Sequence, residues 1–203
     1  FGAERISFVV PQSNRQHWMR MVESFAIGVD AQIINVEDIT ELPQGRSVWV
    51  LGRDNAFAQT VFDASSVYGV QTSPSSLIMA GSDVEFENRS SVLVARHPAN
   101  AELALGFIDV DQMIAMPGMI EKLPHYGKYS FLSFLGAEPS NDVKGVWSSP
   151  ESPMQWLKPD LQVAIDFENL PTMEPLAVLP SKYMPDQLRR HAMQLSSADM
   201  EGR

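Results

Sequence analysis

The chain has 203 residues, 44% hydrophobic and 20% charged, the balance of a globular protein with enough apolar surface to bury a core. Fifteen Lys+Arg against 25 Asp+Glu leave a net charge of −10, which repels phosphate backbones, so no nucleic-acid partner is expected. No apolar run approaches the roughly 20 residues of a membrane helix, so no membrane partner is expected either. The absence of cysteine removes disulfides, thiolate nucleophiles and thiolate zinc sites together. The chain opens on Phe1 and closes on Glu201-Gly202-Arg203 with no evident stop, and it reads as an excerpt of a longer protein.

The first element is a β-rich run, Arg5-Ile6-Ser7-Phe8-Val9-Val10, closed by Pro11 and read as a buried strand. A helix follows, with Ser13 or Asn14 as its cap and Trp18, Met21, Val22 and Phe25 on one face. Residues 32–36 read as a second strand. A turn at Pro43-Gln44-Gly45 leads into a third strand over residues 47–51, ended by Gly52. Asn55 then caps a second helix whose apolar stripe is Phe57, Val61, Ala64 and Tyr68. Alternation of strand and helix through about the first 80 residues, ending in Ser76-Leu77-Ile78-Met79, predicts parallel pairing with crossover helices.

Residues 91–95 and 103–108 read as an antiparallel pair at one side of this sheet. Residues 111–116 are expected to be helical, with Pro117 in the first turn of a continuation through Leu123, because its ring would break a helix interior by about 3 kcal/mol. Residues 129–134 alternate aromatic or aliphatic with small polar residues and read as the last strand. Beyond Gly136 the texture changes: eight of the 14 prolines lie from Pro139 onward, the composition of a semi-rigid linker. From Met184 an amphipathic helix is expected, with Leu188, His191 or Ala192, and Leu195 on one side. The expected fold is therefore α/β: a three-layer, mostly parallel, flavodoxin- or Rossmann-like sheet with an antiparallel pair at one side. The expected divisions are an α/β module over 1–147, an extended proline-rich strap over 148–180 with Trp156 or Leu157 partly buried, and the start of a following domain over 181–203.

Candidate chemistry is sparse. His17, His97, His125 and His191 are scattered without metal-chelating spacing, and no H-E-x-x-H occurs. The loop after the first strand, with Ser13 and Asn14, lies where open α/β folds bind phosphates at a helix N-terminus. It has no glycine to let backbone approach a phosphate, which favours a capped helix start without a ligand. The densest polar cluster is Lys122-Leu123-Pro124-His125-Tyr126-Gly127-Lys128-Tyr129-Ser130, followed by residues 141–147. His125, Tyr126 and Lys128 there are either ligand-binding residues or the parts of a turn in which Gly127 takes a positive φ, the cations complement the helix dipole and the tyrosine rings lie on the sheet.

Ala95-Arg96-His97-Pro98-Ala99-Asn100, Leu105-Gly106-Phe107-Ile108, residues 122–131 and 141–147, and Ser152-Pro153 together resemble an α/β module of large bacterial exopeptidases, over about residues 1–153. The segment from His191 to Arg203, a histidine-bearing helix leading into a leucine, a small polar pair and Glu-Gly-Arg, resembles the opening of the di-zinc aminopeptidase family of leucyl aminopeptidase and glutamate carboxypeptidase. The resemblance implies a zinc-dependent aminopeptidase as the parent, periplasmic or secreted, with an aminopeptidase N-like domain preceding this chain in some architectures. It implies that the zinc ligands lie outside these residues, so this stretch carries no catalytic residue, metal site or cofactor of its own. Its partners would be the flanking catalytic domains and a peptide substrate. The expected role is a structural or substrate-positioning module. The alternative is a small-molecule-binding or catalytic flavodoxin-like domain using the loop at Ser13 and Asn14.

Overall fold

The structure is a computed structural model that describes residues 3–148, 184–197 and Met200. The chain divides into two compact units, residues 1–155 and 156–203. The expected strap over 148–180 lies, apart from its first residue, outside the described residues.

In the first unit, β1 (Arg5–Val10) and β3 (Ser47–Leu51) are almost wholly buried, as their mostly apolar composition suits strands covered on both faces. Between them, α1 (Arg15–Phe25) buries Trp18, Met21 and Val22, and the chain returns through β2 (Asp30–Asn35). After α2 (Ala58–Ser65), a meander of β4 (Gln71–Thr72), β5 (Ser76–Met79) and β6 (Ser82–Glu85) leads to the hairpin of β7 (Arg89–His97) and β8 (Asn100–Val110). A 3₁₀ turn at Met113–Ala115 runs into α3 (Met116–Lys122), with Pro117 in its first turn, and a second 3₁₀ turn follows at Leu123–Tyr126. The unit ends with β9 (Phe131–Leu135) and β10 (Ser140–Gly145).

Seven strands form one mixed sheet in the order β10-β9-β7-β8-β3-β1-β2. Strands β2, β1, β3, β8 and β9 share a direction, and β7 and β10 run against them. On one face α1 and α3 cover Ile6, Phe8, Trp49, Val92, Leu132 and Phe134. On the other, α2 and the small sheet cover Val9, Val48, Val50, Leu93, Phe107 and Phe131. The alternation along β9 thus serves both cores.

Three expectations are corrected. Ser76–Met79 is not a parallel strand of the main sheet: β5 pairs antiparallel with β4 and β6 in a separate three-stranded sheet. It buries only Leu77 and Met79, on one side, which suits a small sheet lying over a core and not a strand within it. The antiparallel pair is not marginal either, because β8 lies parallel to β3 and β7 lies between β8 and β9. Finally, β9 is not the last strand. Gly136, at φ +84°, turns the chain into β10, a polar edge strand with a bulge between Asn141 and Val143. An edge strand needs no apolar run, so nothing in its composition announced it.

In the second unit, α4 (Pro185–Leu195) occupies the expected place, with Pro185 at its start and Asp186 in its first turn.

Candidate functional site

At the carboxyl ends of β1 and β3 the chain order reverses: β1 leads through α1 to β2 on one side, while β3 lies on the other. Open α/β sheets bind ligands at this kind of crevice. Here its polar groups are tied to one another. Ser13 Oγ donates to Asp54 Oδ2 across the gap. Asn14 sits at φ 51° and makes no side-chain cap; its carbonyl accepts the His17 amide at 2.8 Å. Asn55, buried, donates through Nδ2 to the carbonyls of Val9 (3.0 Å) and Leu51 (3.2 Å), joining the two strands, while its Oδ1 accepts the Phe57 amide (3.1 Å) at the head of α2. Beside it, the Arg53 amide donates to Asp109 at 3.0 Å, and the Arg53 guanidinium pairs with Asp109 at 3.5 Å and with Asp111. Burial pushes the Asp109 carboxyl above the ordinary carboxylate range, and the Arg53 charge opposes the shift.

Two of the other three candidates line a different place. A cleft of about 250 Å³ is bounded by Trp49, Val92, Leu123 and Leu132 together with Tyr126, Gly127, Lys128 and Tyr129. Trp49 lies flat over Gly106, where a Cβ would stand 2.4 Å from the indole ring, so the glycine makes room for it. The Tyr126 ring meets Phe134 edge-on at 5.3 Å and Tyr129 at 5.9 Å. Lys144 Nζ stands 5.7 Å from the Tyr126 ring and 5.6 Å from the Tyr129 ring, and Lys128 Nζ is 5.3 Å from Tyr129. Neither lysine pairs with a carboxylate among the described residues. His125 is exposed beside the cleft and does not line it. The expected positive φ at Gly127 is also corrected: φ is −59°, because the second 3₁₀ turn carries the chain on in helical geometry. The left-handed glycine of this region is Gly136.

Ser13 and Asn14 therefore stand at the carboxyl end of β1, whereas Tyr126 and Lys128 precede β9, which runs in the same direction as β1. The two candidate sets lie toward opposite ends of the sheet and do not form one site. Sequence reasoning included the segment of Lys144 in its polar cluster but did not single out that lysine, nor assign Trp49 to a site. The indole's place depends on the pairing of Trp49 with Gly106 between β3 and β8, a long-range register that composition does not reveal.

Among the described residues no three His, Asp or Glu side chains are gathered to hold a metal ion. The chain matches no known family's sequence profile, and a search of curated proteins finds no match.

Proposed function

We propose that the first unit is a non-catalytic, substrate-positioning module of a larger protein, in which the cleft of Trp49, Tyr126 and Tyr129 holds an apolar group bearing a negative charge while chemistry is done elsewhere. The observation that carries this reading is a pair of lysines without carboxylate partners among the described residues, Lys128, which lines the cleft, and Lys144, whose Nζ stands over the Tyr126 and Tyr129 rings that line it, in a chain of net charge −10. By contrast, Arg53 beside the β1–β3 crevice is already paired with Asp109 and Asp111, and a ligand there would have to displace the Ser13–Asp54 contact. The resemblance to exopeptidase modules and to a di-zinc aminopeptidase opening supports a zinc-dependent aminopeptidase as the larger protein, with flanking catalytic domains of the same chain as partners. The carboxyl end of an apolar peptide has the chemistry the cleft would hold.

Titration of the 203-residue chain with phenylbutyrate tests this. Binding should saturate with resonance shifts at Tyr126, Tyr129 and Trp49, and Lys144→Ala should weaken it on the order of tenfold. The matched amine, phenylbutylamine, should not bind. Equal binding of acid and amine would sink the reading, as would turnover of aminoacyl substrates by this chain alone.

A further inference from the structure

The two edges of the main sheet differ in kind. At one, β10 carries a bulge together with Asp142 and Lys144, devices that keep an edge strand from pairing with another chain. At the other, β2 runs in unbroken register with β1, and from Ala31 to Asn35 it has no charge, proline or bulge. No strand lies beyond it among the described residues. The Asp30 amide donates to the Glu4 carbonyl at 3.0 Å. In a parallel ladder the N–H and C=O of one residue point to the same side, and the side alternates along the strand. The backbones of Asp30, Gln32 and Ile34 therefore turn to β1, while Ala31, Ile33 and Asn35 present theirs to the open side. Ile33 is 42% exposed there.

The ends of β2 also differ in charge. At its amino end Arg5 (3.6 Å) and Arg46 (2.8 Å) converge on the single carboxylate of Asp30, and even with Glu4 counted that end carries as many cations as anions. Past its carboxyl end stand Glu37 and Asp38, both exposed and neither paired with a cation among the described residues. No Lys or Arg occurs from residue 31 to 45.

We propose that β2 is the interface of a symmetric dimer, independent of the tyrosine cleft, in which two copies of this chain pair their β2 strands antiparallel and join their sheets into one. Ile33 faces its own copy across the two-fold axis and Ala31 faces the partner's Asn35, so each outward amide meets an outward carbonyl. A slip of one residue would set outward groups against inward ones, and a slip of two would shorten the ladder. The antiparallel sense brings Arg5 and Arg46 toward the partner's Glu37 and Asp38 at both ends, whereas a parallel sense would gather the anionic ends together. That charge pattern is what selects a second copy of this chain over an unrelated extended peptide.

Sedimentation velocity of the 203-residue chain over a concentration series should show a monomer–dimer equilibrium that added salt weakens. Ile33→Lys sets like charges on the axis without removing a bond to β1, and it should weaken association about tenfold or more while leaving the circular dichroism spectrum unchanged. Glu37→Lys should weaken association as well, and Arg5→Glu added to it should restore much of the loss. Because the chain has no cysteine, Ile33→Cys should give a cross-linked dimer on mild oxidation, while Val67→Cys, at a position 79% exposed elsewhere, should not. A monomer at every concentration, association that Ile33→Lys leaves intact, or equal cross-linking of the two cysteine variants would overturn the interface.

Discussion

Gly127 and Gly136 flank β9 with opposite backbone signs, φ −59° and +84°. A Cβ at either would meet nothing within 4 Å, so the dihedral alone decides what a side chain does there. Gly127→Ala should raise stability by about 0.4–1 kcal/mol, because it removes unfolded-state freedom at no strain. Gly136→Ala should lower it by about 1–2 kcal/mol, the cost of left-handed geometry for an L-residue. Urea denaturation midpoints of the two variants check the pair, and a loss at Gly127 would mean that its neighbourhood is tighter than it stands. The sequence marked Gly127 as the turn-maker because a glycine follows a helix ended by proline. What it could not show is that Pro124 itself sits inside a 3₁₀ turn that keeps the chain helical up to Gly127. At this scale the legible residues were those whose burial follows from local periodicity, such as Trp18, Met21 and Val22 on α1. His97 and Asp109 were not legible, since their burial comes from segments far away in the chain.

Between elements, β3 and β8 approach closely where the indole of Trp49 occupies the space above Gly106. Gly106→Ala should cost about 1–3 kcal/mol, since the added methyl would overlap the ring and neither paired backbone can withdraw. The displaced indole would move into the tyrosine cleft, so the variant should also weaken phenylbutyrate binding. Unchanged stability together with unchanged binding would show that Trp49 has another rotamer available at no cost. Strands β2, β5, β7, β8 and β9 were also legible as strands in the sequence; β1 and β3 are the ones buried almost wholly on both faces, with a composition uniform enough to be read without a partner. The small sheet, as a separate sheet, and β10 were missed for the opposite reason. Each is stabilised by its place: β5 by lying on the core of α2, and β10 by Arg89, which pairs with Asp142, and by Asn141, whose Nδ2 donates to the carbonyls of Ser133 and Val143 at 2.9 Å each across the bulge. Polar side chains that serve a strand edge look the same in sequence as those of a loop.

At the scale of the first unit, two buried titratable groups, Asp109 at the carboxyl end of β8 and His97 at the end of β7, both have their neutral forms favoured by burial. Their effects on stability have opposite pH signs. The His97 ring is held below 6.5, so as pH falls past about 6.5 the unfolded chain takes up the proton first, and stability declines until the folded ring titrates. The Asp109 carboxyl is held above 3.8, so as pH rises from about 3.8 the unfolded chain ionises first, and stability declines until the folded carboxyl titrates, the loss being complete above that point. Asp54 and Asp111 add to the upward shift of Asp109 and Arg53 opposes it, so the site stores a destabilisation at neutral pH that only partial pairing offsets. Asp109→Asn keeps an oxygen for the Arg53 amide and removes the titration. Relative to the parent chain, its denaturation midpoint should improve as pH rises from about 4 through the range in which the folded Asp109 ionises, then run parallel to it at higher pH. The matching His97→Leu profile should lose the decline below about pH 6.5. An Asp109→Asn curve that runs parallel to the parent throughout would mean that Arg53 compensates the buried carboxylate fully, despite the added repulsion of Asp54 and Asp111.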